Sequence, residues 1–320
     1  MADQSFNSNL HIVLAADNNY AQHLGVTLIS LIINHRAPQR LVGHILDIGL
    51  APENIAKLRA LAAAYKIELN FYKLSKELLR DYPAVNHLSQ AAYARLLLAD
   101  LLPSEIEKVI YLDSDIVVLR DIAELYQQNL NGFSLGAVPD VMAQEIRRIY
   151  FYPGLTNYFN SGVLLINLNK WREKEVTLHS QQFIKDYYQY LIRADQDVLN
   201  CLFLKDWQTL APIFNTDLKR LSHSTLPPTD TVILHYSDRI KPWSYRFGGK
   251  SKKYYFEYLA KTPWRDFQFK DQNLKNLFLR YLNIFRKTLK RLLLPLIPPS
   301  LIDHYRRLLW KTYKLKVPTK

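Results

Sequence analysis

The segment Val109–Val118 constrains the fold most, because it places two aspartates inside an apolar run that is typical of a buried strand. An unpaired carboxylate in such surroundings is costly. In a strand, residues i and i+2 point to the same face, so Asp113 and Asp115 can direct their oxygens toward one point. Two carboxylates at this spacing suit Mn²⁺ or Mg²⁺, which commonly join protein carboxylates to a substrate diphosphate. The alternative is a strand that ends in a turn, where an aspartate caps backbone amides.

The composition indicates a globular protein, since 48% of the 320 residues are hydrophobic. A chain of this length can form one large α/β domain or two smaller ones. Cys201 is the only cysteine, which excludes a disulfide within the chain and favours a reducing compartment. The first basic residue is Arg36, so a signal peptide is not expected, and no apolar run reaches the roughly 18 residues of a membrane-spanning helix. We therefore expect a cytoplasmic protein that does not span a membrane.

The net charge of +13 is concentrated at the C-terminus. Residues 270–320 contain thirteen Lys and Arg residues and two Asp residues, a net of +11, which leaves +2 for residues 1–269. The main part of the chain is therefore close to neutral, and we expect no nucleic-acid partner. The basic tail needs an explanation of its own.

Alternation of predicted strands and helices indicates an α/β fold with a largely parallel sheet covered by helices. In such sheets, ligands bind beyond the carboxyl ends of the strands. This rule places Asp17, Asn19 and Tyr20, which follow a strand predicted at 11–16, at a nucleotide site. The alternative is that Asp17 only caps the helix that follows. The sequence has no Gly-x-Gly-x-x-Gly, which disfavours a dinucleotide cofactor.

Three further polar residues each allow two interpretations. Arg95 lies in an apolar helix predicted over 91–102, where it either extends toward solvent or pairs with the aspartates or a phosphate. His235 follows the last predicted strand and is either a core histidine or a third metal ligand. Lys241 can neutralise a phosphate as a point charge.

Several separated segments resemble motifs of the retaining glycosyltransferases of family 8, and they follow the order that these motifs have in the family. The resemblance is strongest to the bacterial lipopolysaccharide galactosyltransferases and glucosyltransferases. Together they cover roughly residues 10–245, and the ordered set is far more specific than any one motif. The segments are Ala15–Tyr20, His87–Leu96, Tyr111–Asp115, Phe159–Asn167, Asp195–Asp197 and His235–Trp243. The resemblance implies a GT-A fold, a Rossmann-like, mostly parallel sheet flanked by helices, which binds a UDP-sugar at its carboxyl edge with Mn²⁺.

The resemblance also implies a role for each matching residue. The metal ligands would be Asp113, Asp115 and His235. The residues that would hold the nucleotide are Ala15, Asp17, Asn19, Tyr20, Ser114 and Lys241, with Tyr20 stacked on uracil and Lys241 on the diphosphate. The residues around the donor sugar would be Arg95, Asp140, Asn160, Asp195 and Gln196. His87 lies where the family binds its acceptor, and Asp238 stands where the family commonly has glycine.

The expected mechanism follows from the chemistry of Gln196. The family retains the anomeric configuration. By resemblance, Gln196 matches the family residue nearest the anomeric carbon, and its side-chain amide is a poor nucleophile. We therefore favour a front-face substitution, in which the acceptor hydroxyl enters beside the departing phosphate, over a covalent intermediate.

The tail has the pattern of two basic amphipathic helices. A second helix is predicted to start at a capping box formed by Ser300 and Asp303. In the first, apolar residues recur at helical spacing at Leu274, Leu277, Phe278, Tyr281, Leu282, Phe285, Leu289 and Leu292. Such helices are typical of an anionic membrane interface. The alternative is packing on the main domain or in an oligomer.

The sequence thus predicts a GT-A glycosyltransferase domain over 1–265 and a membrane-associating helical region over 266–320. The expected reaction moves a hexose from UDP-galactose or UDP-glucose to a lipid-linked lipopolysaccharide or related surface glycan, at the inner face of the cytoplasmic membrane. The alternatives are a nucleotidyltransferase that uses similar aspartates and a catalytically silent glycan- or membrane-binding adaptor.

Overall fold

The computed structural model describes residues 9–75, 78, 82, 90–140, 157–218 and 227–293. His87 lies outside these ranges, as does the second tail helix predicted after Ser300. The predictions for both therefore stay predictions.

A mixed sheet of seven strands forms the centre of the described chain. A smaller sheet contains three more strands. The strands of both sheets, in chain order, are β1 (Leu10–Ala16), β2 (Leu41–Asp47), β3 (Glu68–Lys73), β4 (Lys108–Leu112), β5 (Ile116–Val118), β6 (Leu135–Pro139), β7 (Phe159–Asn167), β8 (Trp207–Thr209), β9 (Thr216–Asp217) and β10 (Ile233–His235). The large sheet has the order β3-β2-β1-β4-β7-β6-β8, and β5-β10-β9 form a smaller sheet. In the large sheet only β7 runs against its neighbours, so the predicted mostly parallel sheet is confirmed.

Helices cover both faces of the large sheet. They are α1 (Ala21–Asn34), α2 (Pro52–Ala64), α3 (Leu98–Leu101), α4 (Ala123–Tyr126), α5 (Leu168–Glu173), α6 (Val176–Tyr187), α7 (Asp195–Leu202), α8 (Lys252–Leu259) and α9 (Leu274–Leu293). Short 3₁₀ helices lie at Asn18–Tyr20, Gln90–Leu97, Tyr188–Tyr190 and Pro212–Asn215. Two hydrophobic cores are present, and the side chains of β1 alternate between them. Ile12 and Leu14 pack into one core, and Val13 packs into the other.

The apolar run Val109–Val118 does not form the single strand that its hydropathy predicts. It divides into β4, in the large sheet, and β5, in the small one, and the chain turns between them at Asp113 and Asp115. The turn stays bonded to both sheets, because the Asp113 amide donates to Gly162 O (2.8 Å) and Asp115 O accepts from the Tyr236 amide (3.0 Å). The two carboxylates therefore leave the sheet interior and reach the edge where ligands bind.

The helix predicted over 91–102 is also different in detail. Residues Gln90–Leu97 form a 3₁₀ helix and only Leu98–Leu101 are α-helical. Arg95 lies in the 3₁₀ segment, where it is buried. The prediction that this segment is helical and apolar is right, but the tighter winding was not visible in the pattern.

Helix α9 packs on the body of the protein through only part of its surface. Ile284 lies against Gly248, and the Arg280 guanidinium lies 5.9 Å from the centre of the Tyr245 ring. Apolar residues on the remaining surface are exposed to solvent: Leu274, Phe278, Tyr281, Phe285, Leu289, Leu292 and Leu293. None of the helices within the described ranges combines the length and hydropathy needed to cross a bilayer.

Candidate active site

The candidate site is a cavity of about 660 Å³ at the carboxyl ends of β1, β4 and β10. Because β7 runs in the opposite direction, its first residues reach the same edge. Helix α7 begins there as well. Of the predicted metal, nucleotide and sugar residues, the cavity is lined by Ala15, Asp17, Asn19, Tyr20, Arg95, Asp113, Ser114, Asp115, Asn160, Asp195, Gln196, His235 and Lys241. Asp140 lies behind this lining, with its Oδ2 3.4 Å from Gln196 Nε2.

The three predicted metal ligands converge. Asp113, Asp115 and His235 each offer one ligand atom, and these atoms lie within 4.8 Å of one another. His235 Nε2 is 3.2 Å from Asp115 Oδ1 and 3.8 Å from Asp113 Oδ2. Asp115 Oδ1 is buried and accepts no hydrogen bond from any described residue. Two carboxylates and an imidazole at this spacing suit a divalent metal ion.

Gly162 leaves the space that these ligands need. A Cβ added at this position would lie 2.6 Å from Asp113 Oδ2, and it would overlap His235 Cε1. Its amide donates to Asn160 Oδ1 (2.9 Å). Asp113, Asp115 and His235, here called the metal-ligand cluster, therefore require glycine at this position. This requirement explains a small polar sequence at the start of a core strand.

Arg95 pairs with carboxylates rather than extending toward solvent. Its Nη2 is 2.8 Å from Asp113 Oδ1, its Nε is 3.0 Å from Asp195 Oδ2, and its guanidinium lies 4.3 Å from the centre of the Tyr111 ring. Burial lowers the pKa of Arg95, but Asp113 and Asp195 outweigh it, so the pKa is raised above its ordinary value. Arg95 is therefore a fixed positive charge between the metal-ligand cluster and the predicted sugar site.

Lys241 occupies the other side of the cluster. Its ammonium is 2.6 Å from Asp115 Oδ2 and donates to Tyr236 O (2.7 Å). Burial would raise the pKa of Asp115, but Lys241 and His235 outweigh it and hold the pKa well below its ordinary value. Lys241 thus compensates the negative charge of Asp115.

Asp195 and Gln196 enter the cavity from the first turn of α7. The residue before them, Ala194, has φ of 46° and ψ of −121°, an unfavourable backbone conformation for a residue other than glycine. Ser161 Oγ donates to Asp195 Oδ2 (2.9 Å), and the Ser161 amide donates to Gln196 Oε1 (3.3 Å). Burial raises the pKa of Asp195 to about 6, although Arg95 opposes the shift. Both side chains are held in place before any ligand binds.

At the end of the cavity next to β1, Asp17 caps the helix that follows and also lines the cavity. Its Oδ1 accepts from the Asn19 amide (2.9 Å) and the Tyr20 amide (3.1 Å). Tyr20 is partly exposed and meets Trp243 edge-on, with ring centres 5.9 Å apart. Ser114 Oγ donates to Ala15 O (2.7 Å), which ties the turn between β4 and β5 to the end of β1.

Sequence reasoning missed several polar residues of the site, among them Arg193, Asn215, Ser237 and Arg239. Arg193 lines the cavity, with its Nη1 3.8 Å from Asp140 Oδ2. Asn215 contacts His235 from a separate segment, in which no pattern marks it as functional. Asp238 also lines the cavity, and its backbone φ is not positive, so this loop conformation does not require the glycine that is common in the family.

Comparison with known proteins gives consistent results. General stress protein A of Bacillus subtilis is 29% identical over 270 residues, which cover 80% of this chain and 94% of the relative. The lipopolysaccharide 1,2-glucosyltransferase of Escherichia coli is 28% identical over 273 residues, 80% of this chain and 79% of the relative. The crystal structure of the galactosyltransferase LgtC in complex with donor and acceptor sugar analogues matches with a TM-score of 0.71 and 27% identity, covering 79% of this chain and 96% of that one.

The family model matches residues 11–246, a range that contains all the residues described above as lining the cavity. Except for Leu10, the first residue of β1, this range also includes every strand of both sheets. The chain therefore belongs to glycosyl transferase family 8.

Proposed function

We propose that this protein is a Mn²⁺-dependent, retaining hexosyltransferase that moves galactose or glucose from a UDP-sugar to a lipopolysaccharide or related surface glycan. The observation that carries this proposal is the convergence of Asp113, Asp115 and His235 beside a cavity of about 660 Å³. Two relatives named as a lipopolysaccharide glucosyltransferase and as a galactosyltransferase support the choice of hexose and acceptor.

The ligand set favours Mn²⁺ over Mg²⁺, because Mg²⁺ strongly prefers oxygen ligands and His235 supplies a nitrogen. Asp113, Asp115 and His235 would hold the ion. Bound Mn²⁺ would neutralise the negative charge that develops on the β-phosphate as the bond to the sugar breaks. Ala15, Asp17, Asn19, Tyr20 and Ser114 would bind the uridine at the end of β1.

Lys241 would bind the diphosphate together with the metal. Its ammonium is 2.6 Å from Asp115 Oδ2, so binding to the diphosphate would move it from this carboxylate to the phosphate. A lysine suits this exchange, since it is a point charge on a flexible chain. Arg95 is fixed by two carboxylates and would instead orient Asp113 and Asp195.

The side chains near the proposed sugar site favour front-face substitution. Gln196 is an amide, and its oxygen already accepts from the Ser161 amide. Asp195 is a carboxylate, but its Oδ2 is shared between Arg95 and Ser161, which lowers its nucleophilicity. We infer that these groups, with Asn160 and Asp140, orient the sugar while the acceptor hydroxyl attacks beside the leaving phosphate.

The exposed side of α9 supports a peripheral membrane role for the region 266–320, beside the proposed catalytic domain 1–265. Its apolar stripe is open to solvent among the described residues, and residues 270–320 carry a net charge of +11. An apolar stripe with flanking basic residues matches an anionic bilayer at the inner face of the cytoplasmic membrane. This location suits a lipid-linked acceptor, which would bind near His87.

The test is hydrolysis of UDP-galactose, UDP-glucose and UDP-N-acetylglucosamine by the full chain, each with and without Mn²⁺. We expect Mn²⁺-dependent release of UDP from one of the two hexose donors, with the α-anomer of the free sugar as the first product. Lack of turnover of every sugar nucleotide would favour the silent adaptor. Formation of pyrophosphate from UTP and a sugar phosphate would favour the nucleotidyltransferase.

A further inference from the structure

A chain of hydrogen bonds connects the backbone of β7 to the ring of His235. The Gly162 amide donates to Asn160 Oδ1 (2.9 Å), and Asn215 Nδ2 donates to the same oxygen (2.9 Å). Asn215 Oδ1 lies 2.9 Å from His235 Nδ1. The three side chains are buried, so water does not compete for these bonds.

The chemistry of the groups fixes the direction of every bond in this chain. A backbone amide can only donate, so the oxygen of Asn160 must face Gly162. The NH₂ group of Asn215 must then face Asn160, because the reversed amide would place two acceptor oxygens against each other. The oxygen of Asn215 consequently faces His235, and this oxygen can only accept. His235 Nδ1 must therefore carry a proton.

The position of that proton decides what the other ring nitrogen can do. A neutral imidazole has one N–H, so a proton on Nδ1 leaves a lone pair on Nε2. His235 Nε2 is the atom that faces Asp115 Oδ1 at 3.2 Å and Asp113 Oδ2 at 3.8 Å. A metal ion bound between these carboxylates needs this lone pair.

Asp115 competes with Asn215 for the proton of the ring. A carboxylate is the stronger acceptor, so the Asp115 Oδ1 contact alone would favour a proton on Nε2, where it would block the metal. Only an acceptor held on the opposite side of the ring counteracts this preference. Asn215 is that acceptor, and Asn160 holds it in the orientation required.

We propose that Asn215 is a positioning residue that keeps His235 in the Nδ1–H tautomer and so presents Nε2 to the metal ion. The proposal rests on the proposed metal-dependent function, but the tautomer can be measured without metal. It assigns a role to a residue that does not line the cavity.

The test compares Asn215→Leu, which removes the acceptor at similar volume, with Asn215→Asp, which keeps an acceptor oxygen beside Nδ1. Asn34→Leu is the matched control, since Asn34 lies in α1 and its Nδ2 donates to Ser30 O, Val118 O and the Tyr258 hydroxyl. The tautomer is read from the ¹⁵N NMR signals of the His235 ring in metal-free protein at alkaline pH. Mn²⁺ affinity is measured by electron paramagnetic resonance without nucleotide.

We expect Asn215→Leu to move the proton to Nε2 and to weaken Mn²⁺ binding about 10- to 100-fold, the range typical of lost ligand-orienting contacts. Asn215→Asp should keep the Nδ1–H tautomer and bind Mn²⁺ more tightly than Asn215→Leu. It also removes the donor to Asn160 Oδ1, so it should lower Tm. Asn34→Leu should lower Tm without changing either property.

An unchanged tautomer and unchanged Mn²⁺ affinity in Asn215→Leu would overturn the proposal, as would a protonated Nε2 in Asn215→Asp. Failure of the unmodified protein to bind Mn²⁺ would refute the proposed function instead. The ring signals would then still decide whether Asn215 sets the tautomer.

Discussion

The cavity buries charged side chains, whereas helix α9 exposes apolar ones. Arg95 and His235 in the cavity are 4% and 2% exposed, while Phe278 and Phe285 on α9 are 66% and 62% exposed. Each region thus reverses the usual distribution of polar and apolar groups. Each reversal lowers stability unless a further partner compensates it.

The two regions differ in how specific that partner must be. In the cavity, Asp113, Asp115 and His235 bring three ligand atoms within 4.8 Å of one another, so the missing partner is a cation at a defined point. On α9, a continuous stripe lacks any described partner, so the missing partner is an apolar surface of sufficient area. The cavity should therefore respond to changes of single atoms, and the helix should respond to changes of area.

The largest effect is expected for Asp113→Asn. This substitution removes one metal ligand but leaves Arg95 paired with Asp195, so the fold should persist. We expect a loss of at least about 100-fold in Mn²⁺-dependent UDP affinity, measured by isothermal titration calorimetry. The control is Asp121→Asn, because Asp121 accepts from the Arg36 and Ala37 amides outside the cavity. It should lower Tm and leave UDP affinity unchanged. Unchanged affinity in Asp113→Asn would remove this residue from the site.

Gly162→Ala tests whether the cavity responds to one carbon atom. The added Cβ would overlap His235 Cε1 and lie 2.6 Å from Asp113 Oδ2, so we expect Mn²⁺ affinity to fall about 10- to 100-fold. Gly43→Ala is the control, since its Cβ would lie 2.6 Å from the flexible end of Leu69 in β3. Overpacking there should cost about 1–3 kcal/mol of stability without changing Mn²⁺ affinity. Equal metal binding by both variants would contradict the steric role of Gly162.

Helix α9 should be insensitive to any one atom but sensitive to lost apolar area. The double variant Phe278→Ser, Phe285→Ser should bind anionic vesicles at least about tenfold more weakly, because burial of a phenylalanine contributes about 1.5–3 kcal/mol. Its Tm should not change, since both rings are exposed. The control replaces two exposed residues elsewhere, Leu178→Ser and Tyr188→Ser, and should bind vesicles normally. Binding is measured by vesicle co-sedimentation, and equal binding by both variants would exclude α9 as the contact surface.

The sequence predicted what depends on neighbouring residues and missed what depends on contacts between segments. The sheet and its ligand-binding edge follow from local periodicity. Asp113 and Asp115 converge as predicted, but they do so through the turn between β4 and β5 and not through the alternation of a strand. Asn215, in a 3₁₀ helix, could not be found, because its role depends on bonds to Asn160 on β7 and His235 on β10. The steric role of Gly162 was hidden for the same reason.

The orientation of α9 was also beyond the sequence. Its apolar positions span more than half of the helix circumference, so periodicity alone does not reveal which row packs on the protein. In the structure, Leu277 and Ile284 are partly buried, whereas Phe278 and Phe285, each one position away, are exposed. The choice depends on the shape of the surface at Gly248, which receives Ile284.

Lys241→Gln should produce two opposite changes in the cavity. The ammonium competes with a metal ion for Asp115, so its removal should strengthen binding of Mn²⁺ alone by a few-fold. The same substitution should weaken UDP binding at saturating Mn²⁺ by about tenfold, because a charged contact to the diphosphate is lost. Lys108→Gln, which removes a half-buried lysine that donates to Gln128 O, should change neither affinity. Changes of the same sign would show that Lys241 does not exchange between the two partners.

The smallest effect is a pH dependence at His235. Burial lowers the pKa of His235, but Asp115 and Asp113 outweigh it, so the pKa is raised above the ordinary value of 6.5. Protonation therefore stabilises the metal-free fold: this contribution is complete below about pH 6.5 and disappears as the pH rises through the raised pKa.

Mn²⁺ needs the form of His235 without a proton on Nε2, so its stabilising effect has the opposite dependence. The increase in Tm caused by a fixed Mn²⁺ concentration, measured by differential scanning fluorimetry, should grow by a few degrees across this window. His44→Gln should keep that pH dependence, since burial lowers the pKa of His44 to about 4 and the residue stays neutral throughout. An Mn²⁺ effect that does not change with pH would mean that no proton is displaced, and His235 would then not be a metal ligand.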